Sequence, residues 1–203
     1  MISLTSIVII AAAYLIGSIP TALLYSRIVH HTDIRELGDA NMGSRNIKHV
    51  YGWRAGILVF LIDFIKGILA VSLAAAFSLP AFASYACGAL AILGHDFPIF
   101  ARFKGGQGFA VTSGVFLALF PVFTLIGVLI YLSVYLFTRN FDLSASLGMG
   151  FIAGAQWFSG GTPISVAFIV ITLLFIPFKK RLDRPRREQV RQAMEKKTHY
   201  SQG

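Results

Sequence analysis

The sequence predicts an all-α integral membrane protein of about seven short transmembrane helices, with its N-terminus outside and its C-terminus in the cytoplasm. Three observations carry this. Of 203 residues, 56% are hydrophobic and only 13% are charged, against about 25% in an ordinary soluble domain. The mean hydropathy is +0.70. The Lys and Arg residues gather in a few short segments that alternate with apolar runs. A soluble fold of this size lacks the polar surface to cover so many apolar side chains, whereas a bilayer accommodates them. The apolar content excludes a disordered chain, and Cys87, the one cysteine, excludes an intramolecular disulfide. It reads as a small buried hydrophobe.

Apolar stretches run at about 4–25, 55–77, 81–94, 109–137, 143–158 and 163–178. A span needs roughly 20 apolar residues. The first stretch has no basic residue before it, so it reads as a retained span rather than a cleaved leader. The fourth stretch is too long for one crossing, and Pro121 divides it. Division also satisfies the bias of Lys and Arg toward cytoplasmic loops. With two short helices there, segments 26–54 and 102–104, Arg139 and the tail all fall inside, while the uncharged links near 78–82 and 159–163 fall outside. Small residues within the spans (Gly88, Ala89 and Ala91; Gly148, Gly150, Ala153, Gly154 and Ala155) read as helix-packing positions, with Gly150 and Gly154 in GxxxG spacing.

One membrane domain, residues 1–178, is followed by a basic cytoplasmic tail, 179–203. The tail holds nine Lys or Arg residues and three acids, giving +6 of the formal +9. Because it follows an apolar helix directly, its expected partner is anionic membrane lipid rather than nucleic acid.

Chemistry concentrates at three places. Asp63 and Lys66 share a helix face inside the second span, where ionisable groups point to a polar interior or to an ion pair between helices. Residues 33–54, DIRELGDANMGSRNIKHVYGWR, form a polar Gly-interrupted segment opening toward a helix. Gly38, Asn41, Gly43 and Asn46 there suit a backbone cradle for an anion, with Arg45, Lys48, His49 and Arg54 adding charge; a solvated connecting loop has the same composition. Residues 94–110, GHDFPIFARFKGGQGFA, place Gly105, Gly106 and Gly108 around Lys104 and Gln107, again a phosphate-binding composition but without Walker A spacing. His95 reads as a general base, a donor to phosphate, or a helix-end histidine. Neither GxSxG nor HExxH nor a Cys/His metal spacing occurs, so the sequence motifs lend no support to covalent or metal catalysis.

At these segments the chain resembles the bacterial acyl-phosphate-dependent glycerol-3-phosphate acyltransferases. The likeness covers residues 14–158: YLIGSIP (14–20), DIRELGDANMGSRNIKHVYG (33–52), LIDFIKG (61–67), GHDFPIFARFKGGQG (94–108) and TRNFDLSAS (138–146). The resemblance implies a small polytopic enzyme of the cytoplasmic membrane, its active site facing the cytoplasm. It would move a fatty acyl group from acyl phosphate to glycerol 3-phosphate and yield lysophosphatidic acid for phospholipid synthesis, with no cofactor or metal. His95, Lys104 and Asn41 are then expected in catalysis. Gly43, Arg45, Asn46, Lys48, Gly105, Gly106, Gln107 and Gly108 are expected at substrate phosphate, with Gly38, Asp63, Lys66 and Gly94 as structural support. The roles of Arg45 and Lys48 come from their charge, not from the family motifs.

The chain departs from the family pattern. The family's first motif reads approximately GSGNxGATN, and here Asp39, Ala40 and Arg45 replace its serine, second glycine and threonine. Gln107 replaces the last lysine of KGGKG, and the C-terminal HRxNIxRL gives way to FKKRLDRPRREQVRQAMEKK. Asp39 adds repulsion in an anion-binding loop, which Arg45 can offset by pairing with it or by contacting phosphate. The alternative reading is a catalytically inactive or substrate-altered homologue that binds lipid or a membrane partner. A transporter would need polar residues through the depth of the bundle, where Asp63 and Lys66 stand almost alone.

Overall fold

The computed structural model describes residues 3–200, with side chains as far as residue 196. Residues 201–203 of the expected tail lie outside the described residues. Among the described residues ten α-helices follow in order: α1 (Leu4–Ser18), α2 (Thr21–His30), α3 (Ser44–Tyr51), α4 (Trp53–Ala76), α5 (Ala81–Asp96), α6 (Phe109–Leu119), α7 (Pro121–Thr138), α8 (Phe141–Phe158), α9 (Pro163–Leu182) and α10 (Arg184–Tyr200).

Two of these boundaries have a proline as their cause. Pro121 starts α7 directly after Phe120, so the 109–137 stretch is two helices, as expected. The first stretch is also divided. Pro20 interrupts it between α1 and α2, and α2 runs on to His30 instead of ending near Tyr25. A proline has no N–H to continue the ladder, and the residue before it is pushed out of the helical region. Ile19 is accordingly extended, at φ −61° and ψ 114°.

Glycines let the helices approach. A Cβ on Gly17 or Gly94 would collide with backbone of the facing helix, α5 or α1. Gly67 and Gly114 do the same for α4 and α6, and Gly127 and Gly148 meet across α7 and α8. Small residues at crossings are how helices pack where lipid competes equally for apolar surface. The GxxxG pair is not one of these contacts: the space beside Gly150 and Gly154 is open. Gly148, two residues earlier, makes the contact instead.

Inside the bundle the core is apolar and includes Cys87, Val111, Val115, Phe116 and Ile169, while α7 exposes Val122, Leu125, Leu129 and Leu136. Such a face is costly in water and suits lipid. Among the described residues four stretches, Leu4–His30, Trp53–Ala76, Pro121–Thr138 and Pro163–Lys196, are long and apolar enough to cross a membrane; α6, with 11 residues, is shorter. The polar segments assemble at one end. Arg35 Nη1 donates to Ala101 O (3.3 Å), Lys180 pairs with Asp142 (2.6 Å) and Arg187 with Asp39 (3.5 Å).

Candidate active site

The segment between α2 and α3 is built around two side chains. Asp33 caps the short turn Ile34–Glu36 and pairs with Arg35 (2.6 Å) and Arg27 (3.0 Å). The Arg35 guanidinium holds the Asp33 carboxyl at about 2, below its ordinary 3.8. Asn46, 1% exposed, is the other organiser. Its Nδ2 donates to Ile34 O (3.3 Å), Leu37 O (3.0 Å) and Asn41 O (3.0 Å), and its Oδ1 accepts from Asp39 N (3.0 Å). Gly38 has a positive φ of 58°, and a Cβ there would collide with Asn46 Oδ1. Asn46 thus holds the loop, and its polar atoms are used within it.

That loop delivers Gly43 as the N-cap of α3, whose first residues Ser44 and Arg45 face a large cavity. The first N–H groups of a helix have no intrahelical acceptor and form a positive end suited to anions. Asn41 lies 5% exposed beside them with its Oδ1 unpartnered. Lys48 and His49 of α3 line the same cavity. Arg45 does not pair with Asp39, contrary to one of the two roles expected for it. It lies over the Phe141 ring (5.4 Å) and 4.0 Å from Asp142, while Asp39 is paired with Arg187.

Beneath the loop is a buried polar network. Asp63 Oδ1 accepts from Lys66 Nζ (2.7 Å) and Thr21 Oγ1 (2.7 Å), and His95 Nδ1 stands 3.7 Å away. Lys66 Nζ also donates to Ile19 O (2.5 Å), a carbonyl at the break before Pro20 that accepts from Thr21 N (3.0 Å) as well. Asp63 Oδ2 is unpartnered, and both Asp63 and His95 line the cavity.

The second glycine-rich turn differs from its expected form. Gly106 N donates to His95 O (3.1 Å), and a Cβ on Gly106 would collide with the His95 ring. Gly105 packs as closely on the carbonyls of His95 and Asp96. These two buried glycines serve the close approach of the turn to the end of α5. Gln107 and Gly108 line the cavity; Gly105, Gly106 and Lys104 do not, and Lys104 is exposed. Arg54 lies over the Trp53 ring (5.4 Å) and also stands apart from the lining.

The cavity measures about 1690 Å3. Its polar end carries Asn41, Gly43, Arg45, Lys48, His95 and Gln107. The rest is walled by Phe60 and Phe64 of α4, Leu117 of α6, Leu125, Val128 and Leu132 of α7, and Ile152 of α8. Sequence reasoning missed Thr124, Tyr131, Arg139 and Arg187, which also line it. Arg139 adjoins the TRNFDLSAS segment, and Arg187 lies in the basic tail. For Thr124 and Tyr131, inside an apolar helix, the sequence held no signal. Asp96 was missed as well: it is fully buried beneath the second turn with both carboxylate oxygens unpartnered.

A chamber with a cationic, amide-lined end and a long apolar wall suits a phosphate ester joined to, or meeting, an acyl chain. Comparison with known proteins agrees. The family described as Glycerol-3-phosphate acyltransferase matches residues 7–187. Glycerol-3-phosphate acyltransferase 2 of Bacillus anthracis is 35% identical over 88% of this chain and 94% of its own length. The Glycerol-3-phosphate acyltransferase of Geobacillus kaustophilus is 37% identical over 85% and 87%. The crystal structure of PlsY (YgiH), an integral membrane glycerol 3-phosphate acyltransferase, in its glycerol 3-phosphate form superposes with a TM-score of 0.80 at 27% identity, covering 89% of this chain and 90% of that one. Its lysophosphatidic acid form gives 0.77 at 26%. The match extends through the loops that form the polar end of the chamber, and on that ground the chain belongs to the glycerol-3-phosphate acyltransferase family.

Proposed function

We propose that this membrane protein transfers a fatty acyl group from acyl phosphate to glycerol 3-phosphate, releasing phosphate and forming lysophosphatidic acid. The observation that carries the reading is the joining, in one cavity, of the α3 N-terminus and its cations to an apolar wall from α4, α6, α7 and α8. The acyl chain takes the apolar wall. The amides at Gly43 and Ser44, with Arg45 and Lys48, take phosphate. The acceptor hydroxyl oxygen attacks the acyl carbon, the bond from that carbon to the phosphate oxygen breaks with its electron pair going to phosphate, and His95 assists transfer of the hydroxyl proton. Asp63 faces the His95 ring and orients it. The leaving group is already a good one, so rate is gained mainly by positioning and electrostatic stabilisation. Asn41 and Gln107 belong to the polar end of this site, Lys104 approaches it from outside the lining, and Asn46, Gly38, Gly94, Gly105, Gly106, Gly108 and Lys66 hold its walls.

Seven crossings of the cytoplasmic membrane, with the N-terminus outside and the tail inside, fit this reading. They put every basic segment and the chamber's polar mouth on the side where glycerol 3-phosphate is supplied. The basic tail then meets anionic lipid.

Purified protein given a long-chain acyl phosphate and labelled glycerol 3-phosphate is expected to yield labelled lysophosphatidic acid and free phosphate in equal amounts. It is also expected to restore growth of a strain lacking this acylation. Absence of product from folded protein would overturn the reading.

A further inference from the structure

The C-terminal helix reaches into the chamber. Arg187 of α10 lines the cavity although 148 residues separate it from Asp39, the residue it contacts there. Asp39 is tied on both sides: its Oδ1 accepts from Asn41 N (3.2 Å), and its Oδ2 stands 3.5 Å from Arg187 Nη2. The pair is longer than the Asp33–Arg35 pair at 2.6 Å. Among the described residues, no other guanidinium nitrogen of Arg187 makes a hydrogen bond, and the side chain is 28% exposed. A guanidinium has five N–H donors in a planar fork. One bond to Asp39 fixes its direction and leaves donors for a second anion. A smaller hollow of about 560 Å3, lined by Lys180, Arg181, Arg184 and Arg191, adjoins the cavity, and Asp39 and Arg187 line both.

Resting on the function proposed above, we propose that Arg187, aimed by Asp39, binds the phosphate of a substrate in the cavity. The carboxylate in the first loop and the arginine of the tail are then one device. Asp39 alone would repel a phosphate dianion, whereas the pair is neutral and still presents directed donors.

Steady-state kinetics of the full chain in detergent test this, with glycerol 3-phosphate and acyl phosphate varied in turn. Arg187→Ala is expected to raise KM for one of them roughly ten- to a hundredfold, as loss of charge-assisted hydrogen bonds implies, with kcat changed only a few-fold. The substrate whose KM moves is the one held. Arg187→Gln, with a stem of similar length, is run alongside to preserve packing of α10. Adding Asp39→Ser to Arg187→Ala removes the exposed carboxylate and is expected to recover part of the loss, leaving KM well above the wild-type value. Unchanged KM for both substrates in the arginine variants would overturn the proposal. So would full recovery in the double variant, because Arg187 would then only neutralise Asp39. If an arginine variant makes no product, titration with inorganic phosphate replaces the kinetics, and wild-type affinity overturns the proposal. A wild type that binds inorganic phosphate through Arg187 yet makes no lysophosphatidic acid would overturn the acyl transfer and leave this site standing.

Discussion

Lys66 Nζ donates to Ile19 O at 2.5 Å, so a charged side chain of α4 caps the carbonyl that the α1–α2 break exposes. The same ammonium pairs with Asp63. A proline break inside a membrane bundle leaves backbone acceptors that water cannot reach, and a neighbouring helix has to satisfy them. Lys66→Met would leave Ile19 O with Thr21 N as its remaining donor and the buried Asp63 carboxylate with Thr21 Oγ1 alone, its charge no longer balanced by the ammonium. Removing one partner of a buried ion pair costs about 3–5 kcal/mol. The expected result is a large fall in the thermal unfolding midpoint in detergent, larger than that of Thr21→Val, which removes only one hydrogen bond to Asp63. Equal midpoints for the two variants would show that the lysine is not the keystone of this contact.

Asn46 gives a different kind of test, because its amide serves the loop rather than the cavity. Asn46→Asp replaces a donor facing three carbonyls with a charged acceptor. Faster amide hydrogen exchange across residues 37–43 is expected, with kcat/KM falling at least tenfold, since leaving a buried polar group unsatisfied costs about 1–3 kcal/mol. Wild-type exchange in that loop would contradict its role as organiser.

These two residues also show what the sequence could and could not disclose. Pro121 was legible as a break because the stretch around it is too long for one crossing. Pro20 was not, because nothing near it in the chain reveals the lysine, 46 residues on, that makes the break tolerable. Gly105 and Gly106 look like a phosphate cradle by composition, yet they are glycine because the His95 ring and the end of α5 lie against them. Phosphate contact and close packing select the same residue type. Arg187 was visible only as part of a charge run, since its meeting with Asp39 depends on where α9 delivers the tail.

The loop carries its own acid sensitivity. Arg35 depresses the Asp33 carboxyl from 3.8 to about 2. A depressed folded value means that the pair stabilises fully above pH 3.8 and that its contribution is lost as pH falls toward 2. Asp33→Asn is therefore expected to lower stability at neutral pH and to flatten the part of the stability curve between pH 3.8 and 2. Parallel curves for wild type and variant through that interval would show that Asp33 does not carry the effect.

Lys104 decides how far the second turn takes part in chemistry. Its side chain is exposed and stands outside the cavity lining, but Gln107, three residues on, lines the cavity. Three residues span at most about 11 Å, and the flexible lysine stem shortens that gap further. In the proposed function the ammonium reaches a phosphate bound at the mouth. Lys104→Ala is expected to lower kcat/KM at least ~100-fold, the scale of losing a charge that stabilises the transition state, with no change in unfolding midpoint. Lys104→Arg should recover part of the activity, because charge is kept while reach and geometry change. A Lys104→Ala enzyme with the wild-type rate would instead assign phosphate binding to the α3 N-terminus, Arg45 and Lys48 without this turn.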